Sequence, residues 1–364
     1  MTLHDEEQTP LRVFNSIYSN FVTLNNNVKE YYTSFILKIN EYISTKPLSD
    51  NLVTELKISV DNFFKDKIIK AMNKFTSEVI ELITNQIISK YINRQNYYIS
   101  FDINDDPEFS DKKLIFDYSS KIIYLAIIKK LKSNSYEEVF IEYNRLNSML
   151  HIGYKVNNKY TSNRLLKADK NLYLFNYNLN SLTDDLNTII DNDKQHFFIG
   201  NYKLGKVHGK GIESKIFNNI SNLDNNSYDL YIGEYKENKF DGQGLLNCLN
   251  YIYNGTFNKG IKDGKCELLI KNKQHKYIGD IKNNILNGIG EYEFNNGNIY
   301  KGEIHNNLAN GKGIIHYKDD EKYIGKFEKQ KKVGEGKYIT KDGYELISYF
   351  EKGDDIKEKN IYKY

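Results

Sequence analysis

The chain has 364 residues, of which 40% are hydrophobic, so it is long enough for two domains with apolar cores. Its 51 basic and 48 acidic residues give a formal net charge of +3, which supplies no strong field for binding nucleic acid. Two cysteines are too few for a disulfide framework and are not spaced as a metal site. We therefore expect a cytoplasmic protein with no metal and no cofactor.

Glycine and proline divide the sequence into two halves. Only Gly153 of the 23 glycines lies before residue 200, whereas all three prolines lie within the first 107 residues. Because these residues set the local backbone geometry, two different architectures are expected.

The first half begins with a predicted helical hairpin. Apolar residues recur in steps of three and four over residues 11–43, after Thr9 and Pro10 and before Pro47. A second such segment runs from residue 49 to 92. The short turn between them favours an antiparallel hairpin. The apolar stripe has two interpretations, an intramolecular core or a coiled-coil surface for a homodimer.

The residues after the hairpin are predicted to mix helices and strands. Alternating apolar residues indicate strands at 97–103 and 172–178, and we predict helices at 112–132 and 136–150. Residues 1–151 would then be a mainly helical domain. Residues 152–197 would connect it to the second half and cap the segment 198–211.

The second half contains six copies of one pattern. An aromatic residue is followed by glycine two residues later, an aromatic or isoleucine four residues later, and glycines eleven and thirteen residues later. The copies start 22 to 33 residues apart, and the longest spacing carries a polar insertion at 216–226. The repeat positions are Phe198, Gly200, Tyr202, Gly209, Gly211; Tyr231, Gly233, Tyr235, Gly242, Gly244; Tyr253, Gly255, Phe257, Gly264; Tyr277, Gly279, Gly288, Gly290; Tyr300, Gly302, Gly311, Gly313; and Tyr323, Gly325, Phe327, Gly334, Gly336.

Strand geometry explains these offsets. Side chains alternate with period two, so the first three positions share one face of a strand and the last two share a face of the next. Each glycine leaves a notch over which a neighbouring ring can lie flat. One repeat is therefore one hairpin, and the hairpins stack into a single-layer antiparallel sheet over residues 198–353, before a tail at 354–364. The fold class is α+β.

The pattern resembles the MORN repeat (membrane occupation and recognition nexus), and GKVHGKG at 205–211 matches its common centre. Two features depart from that pattern. The tryptophan often found at the third position is replaced by tyrosine, phenylalanine or isoleucine, and Cys266 replaces the last glycine of the third repeat. No family resemblance was found for residues 1–197.

The resemblance implies a non-enzymatic scaffold or adaptor whose array binds a protein partner, at a cytoskeletal or membrane-associated structure. The alternative is a peripheral membrane module that binds anionic phospholipid through lysine-rich turns, with Lys326, Lys329, Lys331 and Lys332 as contacts. A third alternative is an enzyme, or an enzyme subunit, with an unrecognised helical domain. We found no catalytic motif: the seven histidines lack metal spacing, and GKVHGKG lacks the glycine spacing of a phosphate loop.

Overall fold

The structure is a computed structural model. It describes residues 5–93, 96–103, 112–130, 135–157, 159–160, 164–168, 171–175, 185–191, 196–203, 206–215 and 227–351. The insertion at 216–226 and the tail at 354–364 lie outside these residues. The fold is α+β, with a helical region followed by a long antiparallel sheet, in agreement with the prediction.

Two long helical arms form the predicted hairpin. The first arm is α1 (Asp5–Thr45). The second arm runs without a break through α2 (Asp50–Asn62), α3 (Lys70–Ile83) and α4 (Ser89–Tyr91), joined by π-helical segments at Phe63–Ile69 and Thr84–Ile88.

Contacts between the arms show that they are antiparallel. The Phe35 and Phe63 rings stack with their centroids 4.1 Å apart, and the Arg12 guanidinium donates to the Gln86 side chain at 3.2 Å. Ser49 begins the second arm, because its Oγ accepts the backbone N–H of Leu52 at 3.1 Å. The apolar stripe is therefore an intramolecular core.

The first π-helical segment follows from the spacing of the second arm's stripe. Apolar residues recur every four residues, and a step of four on an α-helix advances the stripe by about 40°. Several such steps would turn the stripe away from its partner, and the wider π turns correct this drift. The six stripe residues are at most 3% exposed: Leu52, Leu56, Val60, Phe64, Ile68 and Met72.

Contacts divide the chain into two compact units. The first comprises residues 1–42 and 56–217, and the second comprises residues 43–55 and 218–364. The division thus falls at 217–218 and assigns the hairpin tip to the second unit. The boundaries predicted from the sequence, at 151 and 197, do not coincide with it.

In the first unit, the hairpin packs on an antiparallel sheet. The Phe64 and Phe197 rings stack with centroids 5.4 Å apart, and Tyr91 lies 5.0 Å from Phe116. The strands are β1 (Asn96–Asp102), β2 (Lys112–Ser119), β3 (Ile122–Lys130), β4 (Tyr136–Asn144), β5 (Met149–Val156), β6 (Lys159–Tyr160), β7 (Arg164–Ala168), β8 (Asn171–Phe175), β9 (Asp185–Asp191), β10 (His196–Lys203) and β11 (Lys206–Lys215). The strands predicted at 97–103 and 172–178 correspond to β1 and β8.

The helices predicted at 112–132 and 136–150 are wrong, because the described residues of these segments, 112–130 and 136–150, form β2 to β4, the start of β5 and the turns between strands. Residues 131 and 132 lie outside the described residues. Leu114, Phe116 and Tyr118 alternate along β2 and are at most 1% exposed. That period of two, together with the β-branched and aromatic residues of these segments, favours strands.

The strand that pairs with the first repeat is β9. Ile189 lies opposite Phe198, and β8 pairs with β9 in turn. β1 pairs with β2 instead of the repeat. Residues 185–191 therefore lie beside the first repeat. The cap formed by the whole of residues 152–197 stays a prediction.

In the second unit, each described strand pairs antiparallel with the next along the chain. The strands are β12 (Tyr228–Lys236), β13 (Lys239–Cys248), β14 (Tyr251–Asn258), β15 (Ile261–Ile270), β16 (His275–Lys282), β17 (Ile285–Glu293), β18 (Ile299–His305), β19 (Leu308–His316), β20 (Lys322–Glu328), β21 (Lys331–Ile339) and β22 (Glu345–Phe350). β22 follows the sixth repeat and pairs with β21.

Candidate binding faces of the repeat array

The first tyrosine of repeats two, four, five and six lies over two glycines. Gly302 and Gly313 are directly opposite each other on β18 and β19. A Cβ atom added to Gly313 would lie 2.5 Å from Cε2 of the Tyr300 ring. Any side chain at this position would therefore displace the ring.

A repeated hydrogen bond fixes the orientation of the first ring in repeats two to five, whereas the buried Tyr323 hydroxyl of the sixth has no hydrogen-bond partner among the described residues. The Tyr300 hydroxyl donates to the backbone carbonyl of Glu303 at 2.7 Å, within the same strand. The bond recurs at 2.7 to 2.8 Å from Tyr231 to Glu234, Tyr253 to Thr256 and Tyr277 to Asp280. Phenylalanine at position 198 lacks the hydroxyl needed to make this bond.

Rings of neighbouring repeats pack together on this side of the sheet, which we call the aromatic face. The Tyr231 ring stacks on Phe240 at 3.7 Å and lies 5.8 Å from Phe257 of the next repeat. Tyr300 and Phe327 are related in the same way, at 5.1 Å. The first tyrosines of repeats two to six are at most 1% exposed, so this face is filled by the array's own side chains.

One predicted lipid contact lies inside the aromatic face. Lys332 is 1% exposed, and its ammonium lies 5.3 Å from the Tyr323 ring centroid and 5.4 Å from that of Phe350. It occupies the repeat position of Phe240 in the second repeat. Lys332 is therefore not placed to meet a lipid head group, whereas Lys326, Lys329 and Lys331 are exposed.

The third repeat also holds a lysine in this slot. The Lys262 ammonium donates to the Tyr251 hydroxyl at 2.7 Å and lies 4.0 Å from its ring centroid.

Cys266, opposite Gly255, is buried, and burial raises the pKa of its thiol to about 12. A thiol that stays protonated is a poor nucleophile, so Cys266 is a packing residue.

The opposite side of the sheet, which we call the second face, explains the first glycine of each pair. Gly311 has a left-handed backbone with a φ of 105°, and the Glu303 carboxylate lies beside it. This carboxylate accepts the backbone N–H of Lys312 at 2.9 Å. Asp280 accepts the N–H of Ile289 in the same way, at 3.1 Å. A side chain at this glycine would be strained and would displace the acid.

Apolar side chains are exposed on the second face of the later repeats. Exposed fractions run from 40% to 70% for Ile278, Ile289, Ile324, Ile347 and Tyr349. Ile278 and Ile289 lie in an open groove of about 630 Å³, lined also by Asn254, Lys265 and Lys301.

The same face is covered near the hairpin tip. Leu230, Ile232 and Leu245 of the second repeat are at most 3% exposed. Lys271 joins the tip to the array, because its ammonium donates to Asn247 at 2.7 Å and lies 3.9 Å from the Asp50 carboxylate. Sequence reasoning missed this docking surface.

A sequence signal for the docking surface does exist. The positions that are apolar in the second repeat, Ile232 and Leu245, become Asn254 and Glu267 in the third. This change from apolar to polar residues marks where the covered part of the second face ends.

The described residues contain neither a metal site nor a membrane-spanning helix. No group of three or more histidine, cysteine, aspartate or glutamate side chains in this part of the chain could hold a metal ion. None of the described helices contains a stretch that is long and apolar enough to cross a membrane.

Comparison with known families identifies the repeats. The model of the MORN repeat family matches residues 198–215, 231–248, 253–273, 277–299, 300–322 and 323–343, the six copies recognised in the sequence. No family matches residues 1–197. A comparison with curated proteins found no match.

Proposed function

We propose, from the premise that residues 198–343 are an array of six MORN repeats, that this protein is a non-enzymatic scaffold whose array binds a protein partner. The partner would belong to a cytoskeletal or membrane-associated structure in the cytoplasm. The observation that carries the proposal is the row of exposed apolar side chains on the second face of repeats four to six.

The two faces differ in which side chains are exposed to a partner. Rings on the aromatic face are buried in contacts between neighbouring repeats. On the second face, Ile289 is 67% exposed and Ile347 is 70% exposed, although nothing in strand geometry requires isoleucine there. Ion pairs such as Lys301 with Glu291, at 2.8 Å, lie between the apolar residues. A mixture of apolar anchors and polar groups is typical of protein interfaces.

The hairpin tip supports the choice of this face. Within the second unit, residues 43–55 already pack against the array through Lys271 and Asp50. A helical segment of this chain therefore uses the array as a docking surface, and a partner would use the part that the tip leaves exposed.

The phospholipid alternative has weaker support. The sixth-repeat lysines were its basis, and burial removes Lys332 from that group. An enzymatic role also has weaker support, because both cysteine thiols are buried and burial raises the pKa of each.

Site-specific crosslinking tests the scaffold proposal. A photoreactive amino acid placed at Ile289 of the full chain should crosslink one protein partner in native cells, and Ile278→Glu should abolish that product because it puts a charge beside the contact. The matched control is the same probe at Ile285, which is 37% exposed at the hairpin turn of the same strand. Equal products from both positions, or no product from Ile289, would contradict the proposal.

A further inference from the structure

Lys312 on β19 lies directly opposite Lys326 on β20, so two like charges face each other on the second face. In the same register His316 lies opposite Lys322. Burial and the nearby Lys322 lower the pKa of the His316 imidazole, so this side chain is uncharged at pH 7. Side chains paired across an antiparallel sheet are about 5 Å apart at Cβ, and like charges there destabilise the sheet. We call these four residues, with Ile314 and Ile324 between them, the basic strip.

No neighbouring acid neutralises the lysines of the basic strip. Among the residues that the structure describes, no carboxylate lies within 4.0 Å of the ammonium groups of Lys312, Lys322 or Lys326. Glu303, on the adjoining strand, accepts the backbone N–H of Lys312. All three lysines are exposed.

The lysines on the strands that flank the strip are paired. Lys301 of β18 lies 2.8 Å from Glu291, and Lys337 of β21 lies 2.8 Å from Glu345. Among the described residues of β18 to β21, the facing lysines without an ion pair therefore lie on β19 and β20.

The basic strip has an apolar centre. Ile314 and Ile324 are opposite each other, and Ile324 is 40% exposed. Alternate residues of a strand are about 6.7 Å apart, so the row of Lys312 and Lys326 is about 13 Å from the row of His316 and Lys322, with the isoleucines midway. The strip therefore has a row of two cations, then an apolar pair, then a row with one cation.

Acidic residues limit the width of a ligand. On β17 to β22 of this face, six lysines (Lys301, Lys312, Lys322, Lys326, Lys331, Lys337) are matched by six glutamates (Glu291, Glu293, Glu303, Glu328, Glu335, Glu345). All of the glutamates except Glu328, at the end of β20, lie on the strands outside β19 and β20. A flat anionic surface such as a membrane would meet as many carboxylates as ammonium groups, whereas a ligand about two strands wide would meet mainly cations.

We propose that the basic strip binds an acidic segment of a protein partner, in which an apolar side chain lies between two carboxylates. The apolar side chain would contact Ile314 and Ile324. One carboxylate would lie between Lys312 and Lys326, and the other would pair with Lys322. This inference rests on the proposed scaffold function and names the chemistry of its partner. Binding would remove the repulsion that the free sheet retains.

The first test measures binding of a defined probe to the full chain. The probe is a labelled peptide with the pattern Glu-x-Leu-x-Glu flanked by serines, titrated by NMR at low salt. We expect shifts at the backbone amides of β19 and β20, weaker binding at high salt, and about tenfold weaker binding to Lys312→Glu. Lys329→Glu, an exposed lysine in the adjacent turn, is the matched control and should bind as the wild type does.

The same variant separates binding from folding. Lys312→Glu places a carboxylate opposite Lys326 and also beside Glu303, so its melting temperature should stay close to that of the wild type while peptide binding falls. Unchanged peptide binding by this variant, or shifts spread over the whole array, would overturn the inference. A peptide with Ser in place of Leu should bind several-fold more weakly, and equal binding would remove the role of the isoleucines.

Two further outcomes identify a different ligand or a different partner site. Sedimentation with phosphatidylserine vesicles that is lost in Lys312→Glu, without any binding of the peptide, would assign the strip to a membrane and overturn the inference. If the partner crosslinked through Ile289 is captured equally well by Lys312→Glu, the scaffold function stands and the basic strip is not its contact. Loss of that product in Lys312→Glu and its retention in Lys329→Glu would support the inference.

Discussion

The two faces of the repeat array differ in how strictly their residues recur. On the aromatic face, the first residue is tyrosine in five repeats, and each of these rings is at most 1% exposed. On the second face, the residue that follows it is Ile232, Asn254, Ile278, Lys301 or Ile324. The recurring positions hold one repeat against the next, and the varying positions determine what the array can bind. Substitutions on the first face should therefore change stability, and those on the second should change binding.

The largest expected effect is the loss of stability in alkali. Burial raises the pKa of Tyr253, Tyr277 and Tyr300, and raises that of Tyr323 to about 12. An unfolded tyrosine titrates near pH 10, so above that pH the unfolded chain releases protons that the folded chain retains. The contribution of these tyrosines to the free energy of unfolding is fully present below pH 10. Above pH 10 it falls by about 1.4 kcal/mol per pH unit for each such tyrosine.

Urea unfolding at pH 9, 10 and 11 measures this slope. Tyr277→Phe should reduce it by the contribution of one proton, and Tyr349→Phe should leave it unchanged, because Tyr349 is 54% exposed on the second face. A free energy of unfolding that stays constant up to pH 11 would contradict the burial of these hydroxyls.

The next largest effect concerns a glycine under a ring. Gly313→Val should destabilise the chain by about 3 kcal/mol, because the new side chain would occupy the space of the Tyr300 ring. Ile289→Val removes one methylene from an exposed position on the second face and should change stability by less than about 0.5 kcal/mol. Equal melting temperatures for the two variants would show that the notch is not required.

A smaller effect concerns the repeated hydroxyl bond. Tyr277→Phe at pH 7 removes the 2.7 Å hydrogen bond to the Asp280 carbonyl and keeps the ring, so we expect a loss of about 1 kcal/mol. Chemical denaturation of this variant beside Tyr349→Phe measures the difference. If both variants had the same free energy of unfolding as the wild type, the Tyr277 hydroxyl would not stabilise the fold.

The smallest effect should have the opposite sign. Lys326→Glu converts a like-charge pair with Lys312 into an attractive pair and should stabilise the chain by about 0.2 to 1 kcal/mol. Adding Lys312→Glu restores a like-charge pair and should cancel the gain. Thermal melting of the wild type, the single variant and the double variant at low and high salt checks this prediction. Salt should reduce both the gain in the single variant and its loss in the double variant. A loss of stability in the single variant would indicate that the two lysines do not repel each other.

Periodicity predicted the parts of the fold that repeat. The stripe of the first arm predicted the helix that ends at Thr45, and the six copies of the repeat pattern predicted the hairpins of the array. Prediction failed over residues 112–150, where charged residues next to apolar ones resemble helical spacing. These residues are strands because β2 to β5 pair with one another. That pairing joins separate segments, so the sequence of one segment does not reveal it.

The position of Lys332 could have been predicted from its repeat. Lys332 follows the exposed Lys331, and adjacent lysines near a turn suggest that both face solvent. Counting from Tyr323 places Lys332 at the position of Phe240, on the aromatic face. The basic strip is harder to predict, because it depends on which residue of β19 lies opposite which residue of β20. A bulge or a change in turn length would alter that register.

The ring contacts of the first tyrosines reach no further than the neighbouring repeat, and this has a consequence for how the array opens. The Tyr323 ring, for example, contacts Phe327 of its own repeat and Phe350 of β22. Loss of β22 would uncover this ring without disturbing Tyr231, four repeats away. Opening should therefore proceed one hairpin at a time, and amide hydrogens should exchange faster in β22 than in β13 and β14.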